Sequence, residues 1–231
     1  MMAVVAVVVV LLIAHNLVGN LVLPPGLYVP VNLGVAGVLV AVAAANRVSA
    51  EELGLARSSV KRGLALGAVA FFVIASVLVV GALVPATRRL FADDRVAGFT
   101  GWGAAYQALV RIPLGTVVLE EVAFRGVLLA LLNRVTTPAA AVASSSMVFG
   151  LWHIVPTVEA LRTNRVAPGV LPVAAAVLAT AVAGAVFCWL RLRSGSLVAP
   201  ALAHVATNSV ALVIAVWVLR GGLRAASRAA G

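Results

Sequence analysis

Long apolar runs separated by short polar stretches make up almost the whole chain. Most runs are about 20 residues long, which is the length a helix needs to cross the hydrocarbon core of a bilayer. They are continuously apolar, whereas the strands of a transmembrane barrel alternate apolar and polar residues. The pattern therefore predicts an all-α, polytopic transmembrane helix bundle of seven to eight spans. The spans we can place are residues 1–23, 27–45, 63–84, 105–132, 137–155, 170–190 and 195–219.

One polar stretch between the second and third runs has the pattern of a short surface helix. Ser49 precedes Glu52 by three residues, which is the spacing of a capping box. The stretch ends at Lys61 and Arg62, so acids at its start and bases at its end complement the helix dipole. Its few apolar residues cannot span a bilayer, and we expect an interfacial helix at the membrane surface.

Composition agrees with this pattern, because 63% of the residues are hydrophobic and only 10% are charged. We expect residues 1–231 to form a single integral membrane domain of a multi-pass protein, placed in the cell membrane. The net charge of +10 resides mainly in short loops, where it suits anionic lipid headgroups and not nucleic acid. The lone cysteine, Cys188, cannot form an internal disulfide and is expected to pack as a small hydrophobe.

Three charged residues lie inside the fourth apolar run, at Glu120, Glu121 and Arg125. A charge at the centre of a bilayer costs roughly 2.5 to 3.5 kcal/mol on insertion scales, so such residues persist mainly where they pair or function. Glu121 and Arg125 are four residues apart and can form an ion pair on one helix face. Glu120 lies about 140° around the helix from Arg125 and needs a partner from another helix, or remains available to accept a proton.

Two other runs add polar groups that could meet these carboxylates. The fifth run contains His153, and the last contains His204 and Asn208, which share a helix face because they are four apart. A carboxylate beside a histidine can activate water, while histidine and asparagine can donate hydrogen bonds to a developing oxyanion. We therefore expect residues 105–219 to form a catalytic half. We expect three further residues to serve structure or packing and not the site: His15, Phe149 and Trp152.

The spacing of these groups resembles that of a known family. The three segments, in order on separate runs, are Glu120-Glu121-x-x-x-Arg125, Phe149-x-x-x-His153 and His204-x-x-x-Asn208. Together they resemble the motifs of the CPBP family, which comprises the type II CAAX prenyl proteases and related bacteriocin-processing and immunity proteins. Gly126 after Arg125 and the lead-in Gly195-Ser196-Leu197 are also similar to that family. The resemblance covers residues 117–210.

That resemblance implies an intramembrane glutamic endopeptidase that works without a metal or other cofactor. It implies these roles: Glu120 activates water with help from His153, His204 and Asn208 form the oxyanion hole, and Glu121 and Arg125 support the site. The implied partners are a peptide or membrane-protein substrate, with or without a prenyl group, and the lipid bilayer.

Two alternatives remain open from the sequence. Two histidines and a glutamate can bind catalytic zinc, although the chain lacks a His-Glu-x-x-His pair, so a zinc metallopeptidase is one of them. The other is a non-catalytic membrane protein, such as an immunity factor or a transporter. In that case the buried charges would carry protons or hold helices together.

Overall fold

The computed structural model describes residues 1–229 and the side chains of residues 1–221, and its regular structure is entirely helical. Within this part of the chain, six helices are long and apolar enough to cross a bilayer. They are Met2–Leu21, Pro25–Ala45, Arg57–Leu83, Pro138–Thr163, Val170–Ser194 and Val198–Gly221. The predicted all-helical, multi-pass membrane protein is confirmed, while the predicted count of seven to eight spans is not. The single-domain prediction extends two residues beyond the described part and stays a prediction.

The first two helices are α1, Met2–Leu21, and α2, Tyr28–Ala45. A turn at Pro24 and a short 3-10 segment, Pro25–Leu27, connect them, and Pro25 is the first residue of that segment. Each helix buries only a narrow stripe of side chains. These side chains belong to one hydrophobic core, which also contains residues from the middle of the chain. Their broad outer faces stay exposed in the isolated chain, as expected of helices that face lipid.

Only the start of the predicted surface helix is present, as α3, Ala50–Leu53. Its predicted end, Lys61 and Arg62, lies instead in the first turn of the next long helix, Val60–Leu83. Ser49 and Glu52 form the expected capping box, because the backbone N–H of each is bound by the side chain of the other, at 2.8 and 3.2 Å. Gly54 ends the helix in the left-handed conformation, with φ of 74°. The Arg191 guanidinium lies against Gly54 and donates to the carbonyls of Glu51 and Glu52, so it caps the helix from another part of the chain.

An ion pair fastens α3 to the middle of the chain. Arg134 donates to both carboxylate oxygens of Glu52, at 2.7 and 2.6 Å, and also to the carbonyls of Asn46 and Arg47. The hydrogen bonds from Arg134 lower the pKa of the Glu52 carboxyl to about 2. The bidentate geometry therefore holds Glu52 as a carboxylate within α3.

After α4, Val60–Leu83, the chain forms three short helical segments, Pro85–Arg88, Arg89–Phe91 and Asp94–Val96. A continuous helical run then covers residues 101–133. We call this run the central helix. Two of its segments, Gln107–Val117 and Glu121–Leu128, are wound as π-helix, and Pro113 lies inside the first. Nearly every side chain from residue 117 to 132 is buried, so the predicted charged run lies in the middle of the bundle. Wide helical turns of this kind occur frequently at functional sites.

The second half continues with α5, Pro138–Trp152, and α6, Ile154–Thr163. Thr137 caps α5 by accepting from the N–H of Ala140, with Pro138 in the first turn. The fifth span was predicted to end at residue 155, which was wrong, because the helix resumes after a break at His153 and continues to Thr163. The remaining helices are α7, Val170–Ser194, α8, Val198–Val205, a π-helical turn, Ala206–Val210, and α9, Ala211–Ala229.

Small residues let the helices of this half approach closely. A Cβ at Gly150 on α5 would lie 2.6 Å from the Val177 carbonyl oxygen on α7. A Cβ at Gly67 on α4 would lie 2.9 Å from the Ala199 backbone on α8. Such contacts are typical of helix packing in membranes, where close van der Waals fit replaces the hydrophobic effect. Cys188 is fully buried on α7, which confirms its predicted packing role.

Candidate active site

Glu121 has the partner that its spacing predicted. Its Oε1 accepts a hydrogen bond from Arg125 at 3.1 Å, and the two side chains are 2% and 0% exposed. The same oxygen lies 2.8 Å from Nδ1 of His204, which reaches it from α8. The carboxylate therefore joins the central helix to α8 through one oxygen atom.

Aromatic faces surround the Arg125 guanidinium. Its carbon lies 3.9 Å from the ring centre of Phe149 and 5.0 Å from that of Phe187. Two of its nitrogens, Nε and Nη2, are buried without a hydrogen-bond acceptor, so the rings supply part of the stabilisation that acceptors would give. Gly184 leaves room for this stack, because a Cβ there would lie 3.2 Å from Phe149 and 3.3 Å from Arg125.

The two oxygens of Glu120 have different surroundings. Oε1 accepts a hydrogen bond from the indole Nε1 of Trp152 at 3.1 Å. Oε2 is buried without a hydrogen-bond partner, and Nε2 of His204 is 3.7 Å away. The partners of Glu120 therefore come from other helices, as its position predicted. Trp152 was expected only to pack, and although it packs against Phe124, its hydrogen bond was missed.

His153 occupies the break between α5 and α6. Its Nδ1 is 2.8 Å from the Phe149 carbonyl oxygen. Because a carbonyl only accepts, Nδ1 carries the hydrogen, and Nε2 of the neutral ring is left as an acceptor. The backbone thus fixes the tautomer and the direction of this ring.

A cavity of about 750 Å³ brings three predicted site residues together, since Glu120, His153 and Asn208 all line it. Asn208 accepts from Thr207 at 3.3 Å through Oδ1, while Nδ2 makes no hydrogen bond to the side chains the structure describes. His204 is buried and does not line the cavity. The lining of the cavity also includes other polar side chains, among them Tyr28, Asp93, Arg95, Gln107, Arg111 and Thr116.

The first half of the chain supplies one wall of this cavity. Asn32 on α2 lies 2.9 Å from Nε2 of His15 on α1 and donates to the Gly115 carbonyl at 2.9 Å. Asn16 donates to the Trp152 carbonyl at 3.1 Å. His15, which the sequence analysis set aside, therefore lines the site. The available signal was the polarity of three residues in apolar spans, since polar groups at such depth need partners.

The arrangement also bears on the zinc alternative. Among the residues described, no three histidine, cysteine or acidic side chains converge in a way that could hold a metal ion. The side chains near Glu120 that could bind a metal contact one another instead, because His204 faces the carboxylates of both Glu120 and Glu121.

Comparison with known proteins agrees with the motif residues. Residues 101–210 match the family model described as type II CAAX prenyl endopeptidase Rce1-like. The match covers a little under half of the chain and includes all seven residues named in the three motifs. The resemblance drawn from the sequence is confirmed over this segment. No curated protein and no solved structure matches the chain.

Proposed function

We propose that this chain, whose second half matches the Rce1-like CAAX prenyl endopeptidases, is an intramembrane endopeptidase that activates water without a metal. The observation that carries the proposal is the environment of Glu120. It is a buried carboxylate on a cavity wall, with one oxygen held by Trp152 and the other free of hydrogen bonds. A carboxylate placed in this way suits a general base.

In the proposed reaction, Oε2 of Glu120 accepts a proton from a water molecule in the cavity. The water oxygen bonds to the carbonyl carbon of the scissile peptide, and the carbonyl oxygen becomes negatively charged. The proton then passes to the amide nitrogen as the carbon–nitrogen bond breaks, releasing an amine and a carboxylic acid. His153 assists by accepting a second hydrogen bond from the water through Nε2, the nitrogen its backbone contact leaves free.

Asn208 and His204 are assigned to the oxyanion. Asn208 lines the cavity and has an uncommitted Nδ2–H group to donate. His204 would donate to the oxyanion through Nε2, because its Nδ1–H is bound to Glu121, and this role therefore requires the doubly protonated ring. Glu121 and Arg125 act through His204. Their ion pair fixes Oε1 of Glu121, and this oxygen orients the imidazole ring of His204.

The substrate we propose is a peptide or the accessible segment of a membrane protein, prenylated or not, cleaved at the cell membrane. The cavity suits a peptide because its lining combines amide and hydroxyl side chains with apolar ones. Such a lining can bind the polar backbone and the side chains of an extended segment at the same time.

The test uses purified protein in lipid nanodiscs with a panel of prenylated and unprenylated peptides, and mass spectrometry of the products. Wild type is compared with Glu120→Gln, which keeps shape and hydrogen bonding but is a far weaker proton acceptor. Glu159→Gln is the matched control, because Glu159 is a 71% exposed acid on α6. Products from wild type and the control, with none from folded Glu120→Gln, support the proposal. Equal activity in Glu120→Gln overturns it, as does a wild type that cleaves no peptide.

The same preparation tests the metal question. Chelators should leave the rate unchanged if Glu120 and His153 activate water by themselves. Elemental analysis of the purified protein provides the independent check. Near-stoichiometric zinc, with activity that disappears on its removal and returns on its addition, would replace this mechanism with that of a metallopeptidase.

A further inference from the structure

The asymmetry of the Glu120 carboxylate has a structural cause outside the three motifs. Trp152 lies between Phe149 and His153 on α5 and belongs to no motif position, yet its indole N–H is the one hydrogen-bond donor to Glu120 among the described residues. The remaining oxygen, Oε2, has no hydrogen-bond partner among the described residues. A carboxylate without such a donor rotates readily about its last torsion, since that torsion is broad and two-fold.

Trp152 is itself held from several sides. Its ring packs edge-to-face on Phe124 at 5.5 Å, and the His15 ring stacks beside it at 6.3 Å. Its carbonyl, at the last residue of α5 before the break, accepts from Asn16 of α1 at 3.1 Å. The indole therefore has little freedom to follow Glu120, and any adjustment of the pair must be made by the carboxylate.

We propose that Trp152 is a positioning residue, whose N–H group fixes the plane of the Glu120 carboxylate and leaves Oε2 as its proton-accepting atom. This inference rests on the proposed function, because it explains how the general base is oriented. A misplacement of the reacting group by about 1 Å can cost about 100-fold in rate, so a freely rotating carboxylate should be a poor base.

The kinetic test is Trp152→Phe, which keeps an aromatic ring against Phe124 but removes the N–H. We expect kcat to fall about 10- to 100-fold while KM stays within about twofold, because the substrate is bound as before and only the base is misoriented. Trp189→Phe is the matched control, since Trp189 is 54% exposed on α7, and it should leave both constants unchanged. A folded Trp152→Phe protein with wild-type kcat, or one with raised KM alone, would overturn the proposal.

A second measurement is independent of turnover and of the folding of Trp152→Phe. In protein labelled with 15N-tryptophan, the four indole N–H resonances are assigned by elimination, using phenylalanine variants of Trp102, Trp189 and Trp217. Glu120→Gln should shift the Trp152 resonance more than the other three, and Glu159→Gln should shift none of them. An unmoved Trp152 resonance in Glu120→Gln refutes the positioning contact. If wild type cleaves no peptide, the proposed function fails while the resonance still decides whether the two residues are bonded.

Discussion

Replacing Arg125 with methionine should destabilise the protein strongly, because it breaks a fully buried ion pair. Methionine is close in length and apolar, so it fills much of the space between Phe149 and Phe187. What it removes is the charge that pairs with Glu121 at 3.1 Å in a fully buried setting. The carboxylate of Glu121 would then keep only the contact with His204.

The magnitude follows from the surroundings of the pair. Breaking a buried ion pair by removing one partner costs about 3 to 5 kcal/mol, chiefly because the other charge is left uncompensated. The cation–π contact with Phe149, worth up to about 2 kcal/mol when desolvated, is lost as well. Against this, Nε and Nη2 of Arg125 lack acceptors, and removing them relieves part of their burial cost. We therefore expect a net loss near the lower end, about 3 kcal/mol.

Whether a second substitution raises or lowers the stability of Arg125→Met is more informative than the size of the loss in Arg125→Met itself. Glu121→Gln combined with Arg125→Met strands no charge, since both members of the pair become neutral. The double variant should be more stable than Arg125→Met alone, by about 1 to 3 kcal/mol, the burial cost of the unpaired group. Additive losses would mean that the two residues stabilise the bundle independently.

The assay is reversible denaturation in mixed micelles, followed by circular dichroism of the helical signal. Arg162→Met is the matched control, because its pair with Glu159 spans 4.0 Å and both side chains are largely exposed. That variant should unfold as wild type does. An Arg125→Met protein that unfolds within about 1 kcal/mol of wild type would refute the role given to the buried pair.

Two further predictions concern the oxyanion and the surface ion pair. Asn208→Ala should lower kcat by about 100- to 1000-fold with little change in KM. The control Asn133→Ala, at an exposed position, should leave kcat unchanged. A kcat of Asn208→Ala within about threefold of wild type would remove Asn208 from the site. The pKa of the Glu52 carboxyl falls from an ordinary 4.5 to about 2 through its hydrogen bonds with Arg134. Its stabilising effect is therefore complete above about pH 4.5 and is lost as the pH falls towards 2, which the melting temperature should report. An Arg134→Met protein should lack this component, and an unchanged acid profile in that variant would contradict the assignment.

Sequence patterns predicted features that depend on neighbours along one helix. Glu121 and Arg125 pair because four residues make about one helical turn. Ser49 caps α3 because its side chain lies close to the backbone N–H of Glu52, three residues later. Because charges inside an apolar run are costly, the charged residues of the fourth run were enough to predict where the centre of the bundle lies. The charge pattern therefore sufficed to place the candidate site on the central helix.

Features set by contacts between distant segments were not predictable in this way. Asn16 and Trp152 are 136 positions apart, and no periodicity connects them. The assumption of a uniform α-helix also missed the π-helical turns at Glu121–Leu128 and Ala206–Val210. The apolar pattern ends the fifth span at residue 155, because polar residues and Pro156 follow. The helix nevertheless continues, since Pro156 lies in the first turn of α6, where proline is tolerated.

The wall that α1 and α2 contribute to the cavity affects how enzymes of this kind could diversify. The family match begins at residue 101, whereas His15, Asn16 and Asn32 lie outside it and still border the space beside Glu120. Under the proposed function, the hydrolytic groups and part of the cavity wall would then be encoded in separate stretches of the same gene. Changes in the first 45 residues would alter the shape of the cavity while the proposed hydrolytic groups stay intact.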